Sequence, residues 1–487
     1  MISFTLSLLA LIVGYLIYGR FVERVFAPDN RATPALAKAD GMDYVVLPSW
    51  KIFMIQFLNI AGTGPIFGAI MGAKFGPAAY LWIVFGCIFA GAVHDYFSGM
   101  LSMRHGGAGL PELIGQYLGK ATKSLMLVFT VLLLIMVGTV FVYSPAEILH
   151  SIGGETMMWV AIIFVYYIIA TMLPIDKIIG KVYPLFAFSL LFMAGALMVW
   201  LFLHWPTIPE IWTNFYNMGA ATEPDKWTDN IFPALFITVA CGAISGFHGT
   251  QSPLMARCVK SEKMGRPIFY GAMITEGVVA LIWASVASWF FYGNPAPGYE
   301  LIVKATAGFH TSAPAVVNLV CNDWLGVAGA ILAMLGVVAA PITSGDTAFR
   351  SGRLIVAEWL KMNQRPIMNR LYICIPMFAC SIAMLVWQVE NPDGFNTIWQ
   401  YFGFSNQALS VFTLWTITVY LVRQKKAFWI TLIPALFMTT VCSTFLFVSK
   451  QTFYLPGNVG YTLGLVSLLV AIVWFCLWYR RELRGKN

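Results

Sequence analysis

The chain has 487 residues, of which 59% are hydrophobic and only 11% are charged, and its mean hydropathy is +0.75. This composition excludes an ordinary soluble protein, because apolar runs of about 20 residues, long enough to cross a bilayer, recur along nearly all of it. The net charge of +8 follows from how the basic residues are distributed between these runs, and it does not indicate a nucleic-acid-binding surface.

The hydropathy pattern predicts an all-α polytopic membrane protein with about thirteen transmembrane helices. In chain order these spans lie at roughly 3–19, 49–73, 78–103, 124–145, 156–173, 183–203, 230–252, 268–293, 324–345, 370–390, 397–422, 427–448 and 459–479. The first span has no basic segment before it and no small-residue cleavage site after it. We therefore interpret it as a retained helix and not as a signal peptide.

The basic residues predict the orientation of the chain in the membrane. The Lys and Arg residues are counted in each connection together with the adjoining ends of the spans. Every second connection, starting with the first and including the C-terminal tail, contributes to a total of 26 of the 30, and the other connections hold 4. Because basic loops are retained in the cytoplasm, the N-terminus is predicted to be outside and the C-terminus inside. The positive charge thus sets topology and contacts anionic lipid of the bilayer, and nucleic acid is not an expected partner.

A break is predicted within the second span. Residues 59–65 read Asn-Ile-Ala-Gly-Thr-Gly-Pro, and Pro65 removes a backbone donor while the glycines weaken the helix. Freed backbone groups at membrane depth are tolerated where they line a cavity, so we interpret this segment as half of a binding site. Pro65 is expected to begin an outer half-helix. The alternative, close helix packing through small residues, is the interpretation we prefer for Gly68 and Gly72.

A second break is predicted within the seventh span, where residues 240–253 contain three glycines, a serine, a histidine and a proline. Spans two and seven cross in opposite directions, and each opens a set of five. This pattern predicts two inverted repeats of five helices, at 47–204 and 230–422, with the binding site at the midplane. An extra helix with its cytoplasmic connection (1–46) precedes them, and two helices with a cytoplasmic tail (423–487) follow.

Together the two breaks predict a substrate site. The N-terminus of a half-helix carries partial positive charge and unpaired N–H groups, so it suits a carboxylate, whereas C-terminal carbonyls suit a cation. We expect a substrate carboxylate to bind the backbone amides near Gly62–Gly64. The candidate substrate-binding residues are Asn59, Ala61, Gly62, Thr63 and Gly64 at the first break and Ser245, Gly246 and His248 at the second.

Ionisable residues at membrane depth are candidates for the coupling ion, because a charge at the centre of a span costs roughly 2.5–3.5 kcal/mol. Asp95, beside His94 in span three, is interpreted as a proton carrier or ion-pair partner, or else as a residue that reaches toward the cytoplasmic interface. Glu276 in span eight has no basic residue on its own helix face, which favours a proton site or a partner on another helix. His248 suits a substrate or proton contact as well as a structural hydrogen bond.

Oxygen-bearing residues at the end of span nine predict a second kind of ion site. Ala340, Thr343 and Ser344 share one helix face and offer a carbonyl and two hydroxyls, which suit a hard cation such as sodium. Asp346 could add a charge, and an ordinary capped helix end is the alternative. Asn406-Gln407 in span eleven is interpreted as hydrogen bonding between helices, with the lining of a cavity as the alternative.

No further metal site and no cofactor are expected. The eight cysteines are scattered, mostly inside apolar runs, without the spacing of a metal site or a disulfide framework. We interpret them as small buried hydrophobic residues.

Five stretches carry a resemblance to a known family. They are AGTGPIFGAIMGAKFG and AGAVHDYFSGMLSMRHGG within 61–107, FPALFITVACGAISGFHGT at 232–250, TSGDTAFRSGR at 343–353 and FGFSNQ at 402–407. In these stretches the sequence resembles the carbon starvation protein A (CstA) family of bacterial inner-membrane transporters. The family is associated with peptide uptake under carbon limitation, and some members resemble pyruvate–proton symporters.

The resemblance implies a fold similar to the five-plus-five inverted repeat of the amino acid–polyamine–organocation superfamily, the LeuT-type fold. In that fold, hydroxyls on the eighth core helix help to form a sodium site, and Thr343 and Ser344 match that position. His94 stands where other members have glutamine beside the intramembrane aspartate. The coupling ion, proton or sodium, stays open at this point.

The leading hypothesis is an ion-coupled secondary transporter, not an enzyme, that imports a small carboxylate-bearing nutrient: a short peptide first, pyruvate as the alternative. A channel is disfavoured because two non-identical breaks in one chain do not resemble a ring of repeated filter loops. A haem-bearing enzyme is disfavoured because the six histidines lie mostly at span ends or in loops. No Walker motif occurs that would drive an ATP-dependent pump. The sequence does not define the oligomeric state.

Overall fold

The computed structural model of this chain describes residues 1–173, 179–215, 230–293, 313–391 and 394–484, and all regular secondary structure in them is helical. The helices are α1 (Ile2–Phe26), α2 (Ser49–Ala61), α3 (Gly64–Phe75), α4 (Ala78–Arg104), α5 (Leu110–Leu118), α6 (Lys120–Ile152), α7 (Thr156–Met172), α8 (Ile179–His204), the two-part α9 (Ile231–Leu235 and Phe236–Thr238), α10 (His248–Ala256), α11 (Glu262–Tyr292), α12 (Ala313–Leu360), α13 (Ile367–Glu390), α14 (Gly394–Arg423), α15 (Trp429–Val448) and α16 (Gly457–Arg484). A one-turn helix, Pro34–Ala37, lies between α1 and α2.

Nine helices in the described ranges are long and apolar enough to cross a membrane, and the bent pair α2 and α3 makes a tenth. The remaining predicted spans correspond to α7, to α9 with α10, and to α14, and they are also helical. α7 has only 17 residues, a non-helical segment separates α9 from α10, and α14 is not apolar enough to be counted with the nine. The predicted all-α membrane fold is therefore confirmed. The number of thirteen crossings, the division into domains and the LeuT-type inverted repeat remain predictions.

The ninth predicted span, 324–345, is part of a much longer helix. α12 begins at Ala313, inside the loop expected before that span, and it bends at Gly326, where φ is 63° and ψ is 179°. A left-handed φ of this kind is adopted readily only by glycine, so the bend separates a short preceding helix from the spanning part.

The first predicted break is present. α2 ends at Ala61, and α3 continues at an angle of 49° after Gly62 and Thr63. Gly62 has φ 49° and ψ −141°, a conformation that is strained for residues with a Cβ atom. Pro65 is the second residue of α3, where its missing N–H leaves no intrahelical hydrogen bond unmade.

The second predicted break is also present, but it is shorter and lies earlier than 240–253. Helical geometry stops after Thr238 and resumes at His248. A hydrogen bond of 3.2 Å from the His248 N–H to the Ser245 carbonyl already forms a turn before α10. His248 and Pro253 therefore belong to α10, and the interruption itself consists of residues 239–247.

The two breaks touch each other. A Cβ atom added to Gly64 would lie 2.3 Å from the Cβ atom of Cys241, and one added to Gly68 would lie 3.0 Å from the carbonyl oxygen of Thr238. A Cβ atom on Gly72 would meet the Val239 side chain at 2.4 Å. Small residues of α3 thus permit the close approach, as predicted for Gly68 and Gly72.

The connections fall at two ends of the bundle, as the predicted topology requires. At one end, Arg104 at the end of α4 donates to Glu262 at the start of α11 (3.0 Å) and to the carbonyl of Ala27 after α1 (2.8 Å). At the other end, the Tyr292 hydroxyl at the end of α11 donates to the carbonyl of Ala73 in α3 (3.0 Å). The basic connections that follow α1 and α4 and precede α11 therefore share one end. That this end is cytoplasmic stays a prediction.

Substituting Gly246→Ala should destabilise the protein. The new Cβ atom would lie 2.2 Å from the Asn406 carbonyl oxygen and 2.4 Å from the Ser410 nitrogen, and overpacking of this kind costs about 1–3 kcal/mol. We expect a lower melting temperature in detergent. Gly195→Ala in α8 is the control, because no atom lies within 4 Å of its added Cβ. Equal stability of the two variants would contradict the close approach of α14 to the second break.

Candidate functional site

Asp95 on α4 is the centre of a buried polar cluster. Its Oδ1 atom lies 2.8 Å from Nδ1 of His94, and its Oδ2 atom lies 2.9 Å from Nδ1 of His248 on α10. All three side chains have no exposed surface. Of the alternatives considered for Asp95, the structure supports a partner on another helix and not a side chain that reaches the cytoplasmic interface.

Glu276 on α11 closes the cluster from the other side. Its Oε2 atom lies 3.5 Å from Nε2 of His248, and its Oε1 atom accepts a hydrogen bond of 3.1 Å from the backbone N–H of Gly242. His248 therefore has a carboxylate beside each ring nitrogen. Nδ1 is hydrogen-bonded to Asp95, whereas Nε2 makes no hydrogen bond among the described residues. Two carboxylates this close favour the positively charged imidazolium form of His248.

Small residues bring the ionisable side chains together. A Cβ atom on Gly91 of α4 would lie 2.2 Å from the carbonyl oxygen of Ala243, and one on Gly277 of α11 would lie 2.7 Å from Sγ of Cys87. A π-helical segment, Cys87–Gly91, shifts the register of α4 just before Asp95. α4, α11 and the second break thus approach closely enough for side chains from all three to share hydrogen bonds.

α14 holds both halves of the second broken helix. The Asn406 Oδ1 atom accepts hydrogen bonds from the Ser245 hydroxyl (3.0 Å) and from the Phe247 N–H (2.7 Å). The Gln407 side-chain amide donates to the Phe236 carbonyl at 2.8 Å, on the other side of the break. The interpretation of Asn406-Gln407 as inter-helix hydrogen bonding is confirmed, and these bonds satisfy backbone groups that the break leaves free.

The candidate substrate residues at the first break lie in fully buried positions. The side-chain amide of Asn59 and the hydroxyl of Thr63 have no hydrogen-bond partner in the part of the chain that the structure describes. Buried polar groups are nearly always paired, so such atoms mark places where a ligand or water binds. Ala61 and Gly62 are buried beside them, and a Cβ atom on Gly62 would lie 2.9 Å from the Phe141 ring.

The candidate substrate residues at the second break do not face those at the first. Cys241 and Gly242 are the residues that meet Gly64 and Pro65. Ser245 and Gly246 contact α14 instead, and His248 contacts Asp95 and Glu276. Their role in substrate binding stays a prediction, and their contacts show which helices each of them connects.

The predicted cation site brings α12 to the first break. The Ser344 hydroxyl lies 3.1 Å from the carbonyl oxygen of Leu58 and 3.0 Å from that of Asn59, in the last turn of α2. The Thr343 hydroxyl donates to the carbonyl of Ala340 at 2.8 Å within α12. These oxygens, at the negative end of a helix dipole, are of the type that could hold a hard cation.

Asp346 is not part of that group. Its Oδ2 atom accepts a hydrogen bond from the hydroxyl of Tyr183 on α8, and its Oδ1 atom has no partner among the described residues. Two positions beyond Ser344, a helical residue is turned by roughly 200° and faces away from α2. Tyr183 was not found from the sequence, because nothing in its surroundings distinguishes it from an apolar-face tyrosine.

The interpretation of the cysteines as small buried residues is correct for six of the eight and wrong for Cys380 and Cys476, which are exposed. Cys241 is buried among polar groups: its sulfur and the nearest ring nitrogen and carboxylate oxygen of His248 and Glu276 all lie within 4.8 Å of one another. The position of Cys241 inside the second predicted break was the signal that could have marked it as a neighbour of these side chains.

This fold is that of a multi-pass membrane protein, and its buried polar cluster lies beside two interrupted helices. The chain belongs to the carbon starvation protein CstA family, because the family model matches residues 1–157, 144–297 and 297–445. The recognition made from the sequence motifs is thereby confirmed.

Relatives of the chain include an uncharacterised membrane protein of Haemophilus influenzae, 46% identical over 61% of this chain and 92% of that protein. The peptide transporter CstA of Campylobacter jejuni is 26% identical over 92% of this chain and 79% of that protein. The pyruvate/proton symporter BtsT of Escherichia coli is 25% identical over 89% of this chain and 79% of that protein.

The fold is similar to that of a solved transporter. The crystal structure of a mutant manganese transporter of Eremococcus coleocola aligns with a TM-score of 0.57 and 14% identity, over 91% of this chain and 99% of that one. At this identity the likeness concerns the fold alone.

Substituting Asn406→Ala should loosen the second break. The Ser245 hydroxyl and the Phe247 N–H would lose their acceptor while staying buried, at a cost of about 1–3 kcal/mol per unsatisfied group. We expect a lower melting temperature and faster hydrogen exchange at residues 245–247. Asn369→Ala is the control, because Asn369 is only partly buried and donates to the Asn363 carbonyl in an exposed hydrogen bond. Unchanged exchange at 245–247 would show that Asn406 does not hold the break.

Proposed function

We propose that this protein is a proton-coupled secondary transporter that imports a small carboxylate-bearing nutrient across the bacterial inner membrane. The observation that carries this proposal is the contact of two interrupted helices beside a fully buried chain of ionisable groups, His94, Asp95, His248 and Glu276. Interrupted helices at membrane depth supply free backbone groups to a substrate, and buried ionisable groups supply a site for the coupling ion.

The substrate carboxylate would bind at the first break. Asn59 and Thr63 offer unpaired buried polar atoms there. The backbone N–H of Gly64 lies at the positive end of α3, where Pro65 has no N–H and those of Ile66 and Phe67 donate to the Thr63 carbonyl. Residues 58–68 and 238–248 contain no Lys or Arg, so recognition would rest on amides and hydroxyls. A short peptide is the first substrate class, as in the name of the CstA relatives, and pyruvate is the second, as in that of BtsT.

The coupling proton would change the charge of the buried cluster. With both carboxylates ionised and His248 protonated, Asp95 and Glu276 leave a net negative charge. One further proton makes the group neutral, and a neutral group is far less costly to keep away from water. Proton binding from one side and release to the other would therefore favour closure of the site around the substrate. Alternating access would then rock one group of helices against the other across the two breaks.

Sodium is the second candidate for the coupling ion. The observation that favours it is the group of oxygens formed by Ser344 and the carbonyls of Leu58 and Asn59. A sodium ion there would tie α12 to the end of α2 and so stabilise one conformation of the first break.

The experiment that tests the function is uptake into proteoliposomes. Labelled dipeptide or pyruvate is offered under a proton gradient, a sodium gradient, both or neither. Accumulation driven by the proton gradient supports the proposal and identifies the substrate. No accumulation of either compound under any gradient would overturn it.

Substituting Glu276→Gln or Asp95→Asn should uncouple transport from the proton gradient. Each variant removes one site that the proton can occupy while keeping the shape of the side chain. We expect accumulation to fall roughly 5–150-fold, which is the range of a coupling free energy of 1–3 kcal/mol. Exchange of labelled for unlabelled substrate, which needs no net proton movement, should persist. Both quantities are measured in the same vesicles.

Glu155→Gln is the matched control for these variants, because Glu155 is an exposed carboxylate at the start of α7. It should accumulate substrate like the unmodified protein. If Glu276→Gln and Asp95→Asn both kept full proton-driven accumulation, the cluster would not carry the coupling proton.

Substituting Ser344→Ala tests the sodium alternative. If sodium is the coupling ion, the variant should need a sodium concentration about tenfold higher for half-maximal uptake, because one oxygen ligand is lost. Under the proton proposal, uptake by this variant should be independent of sodium and should keep its dependence on the proton gradient. A sodium requirement that rises in Ser344→Ala would favour the second candidate over the first.

A further inference from the structure

Three buried arginines lie together near the end of the bundle that is predicted to be cytoplasmic. Arg350 and Arg353 on α12 have no exposed surface, and Arg370 on α13 is 6% exposed. In the sequence these arginines are distinguished only as basic residues that set topology. One carboxylate, that of Asp43 from the connection between α1 and α2, lies among them and is itself 4% exposed.

The contacts of these arginines leave several guanidinium donors without partners. Arg353 donates from Nη2 to Asp43 (3.2 Å), while its Nε and Nη1 atoms have no hydrogen-bond partner. Arg350 Nη1 is 3.5 Å from the same Asp43 oxygen and makes no hydrogen bond, and its Nε atom is also unpaired. The Nε atom of Arg370 is unpaired as well. Each statement refers to the residues that the structure describes.

Backbone carbonyls satisfy only part of this group. Arg350 Nη2 donates to the carbonyls of Ala170 (2.7 Å) and Leu173 (2.9 Å), and Arg370 Nη1 donates to that of Met172. These carbonyls lie at the end of α7, whose dipole supplies roughly half a negative charge. The end of α7 therefore fixes the arginine side chains but does not neutralise their charge.

The charges of the described residues do not balance. Three guanidinium groups face the α7 terminus and Asp43, the carboxylate that pairs with them among the described residues. Asp346, one turn before Arg350 on α12, is a second buried carboxylate that acts on Arg350 and Arg353 from a greater distance. Even when Asp346 is counted as ionised, the positive charge exceeds the negative charge by roughly half a unit. The neighbouring Arg257 does not change this count, because it pairs with Glu358 and donates to the Gly107 carbonyl at 2.9 Å. Burial of unbalanced charge is costly, so native proteins pair such groups with an ion or a ligand.

The state of Asp43 agrees with this excess. Burial by itself would raise the pKa of the Asp43 carboxyl, but the neighbouring Arg353 and Arg350 outweigh it and lower that pKa below its ordinary value. Asp43 therefore stays ionised, and the positive charge around it still exceeds its own negative charge.

We propose that Arg350, Arg353 and Arg370 form a binding site for an oxyanion, either a phosphate or a carboxylate group. Planar guanidinium donors match the oxygens of both groups, and paired donors on separate helices would fix the anion between α12 and α13. The anion would hold the end of α12, which also carries Ser344, against the neighbouring helix. Its source is a free cytoplasmic anion or the headgroup of an anionic lipid. This site is separate from the proposed substrate site, and its test does not depend on transport.

The test is anion binding to the full-length protein in neutral detergent. The melting temperature is followed while phosphate or pyruvate replaces chloride at constant ionic strength. We expect at least one of these anions, or an anionic phospholipid added in nanodiscs, to stabilise the protein in a saturable way. Saturable stabilisation by phosphate, or by pyruvate where Arg353→Gln weakens it, identifies a free anion at this site. Stabilisation by pyruvate that Arg353→Gln leaves unchanged arises at the substrate site and counts against this proposal. A lipid effect alone, with a phospholipid retained in native mass spectra, identifies a headgroup.

Substitutions identify the residues that bind the anion. Arg353→Gln should weaken the binding of the active anion about tenfold or more, the scale of a lost charge-assisted hydrogen bond. Arg365→Gln, which replaces an exposed arginine five positions before Arg370, should bind like the unmodified protein. If Arg353→Gln does not fold, Arg353→Lys keeps the charge without the paired donors and should still bind more weakly.

Asp43→Asn should change the anion affinity in the direction opposite to Arg353→Gln. Removing this carboxylate frees donors and increases the positive charge, so the anion should bind more tightly. If the ion pair between Asp43 and Arg353 had only a structural role, Asp43→Asn would lower the stability of the protein without raising its affinity for the anion. The proposal is overturned if phosphate, pyruvate and anionic lipid all stabilise no more than chloride. It is also overturned if Arg353→Gln leaves the binding of the active anion unchanged.

Discussion

The structure depends on the shared imidazole of His248, which lies between two carboxylates from different helices. Asp95 and Glu276 are both fully buried, and neither has a lysine or arginine as its hydrogen-bonding partner. Two ionised carboxylates in such a place would repel each other and lack solvation. The imidazole relieves that repulsion only if α4, α10 and α11 keep their mutual positions. The cluster therefore ties the protonation of three side chains to the relative placement of three helices.

The interrupted backbone is kept at membrane depth by a different set of contacts. Residues 239–247 form only isolated turns, such as the bond from the Ile244 N–H to the Ala240 carbonyl (2.9 Å), and the side chains of Asn406 and Gln407 on α14 bond other backbone groups at the break. Glycines on α3 and α4 let the second break lie directly against its neighbours. The polar cluster and the break support one another, since Glu276 also accepts the hydrogen bond of Gly242 within the interruption.

Much of the fold could be predicted because the sequence reports local backbone preferences directly. Gly62, Pro65 and Gly242 lie where a helix cannot continue, and hydropathy marks the helices around them. The partners within the site could not be predicted, because they come from distant parts of the chain: Asp95 and His248 are 153 residues apart. Asp346 was grouped with Ser344 from its proximity in sequence, yet the helix turns it toward Tyr183. Arg350 and Arg353 were interpreted as topological charges, since burial is not visible in a basic run.

The attachment of α14 to both sides of the second break has a mechanical consequence. Because Gln407 is bonded to Phe236 before the interruption and Asn406 to residues at its far end, α14 cannot slide along its axis without deforming the segment between them. α15 packs against α14, with its Thr431 hydroxyl 2.8 Å from that of Thr418, and α16 packs in turn against α15. Much of the outer surface of α16 is exposed apolar side chain that would face lipid tails. A tilt of the second broken helix would thus alter the outline that the protein presents to the surrounding lipid, and membrane thickness would enter the energetics of its working cycle.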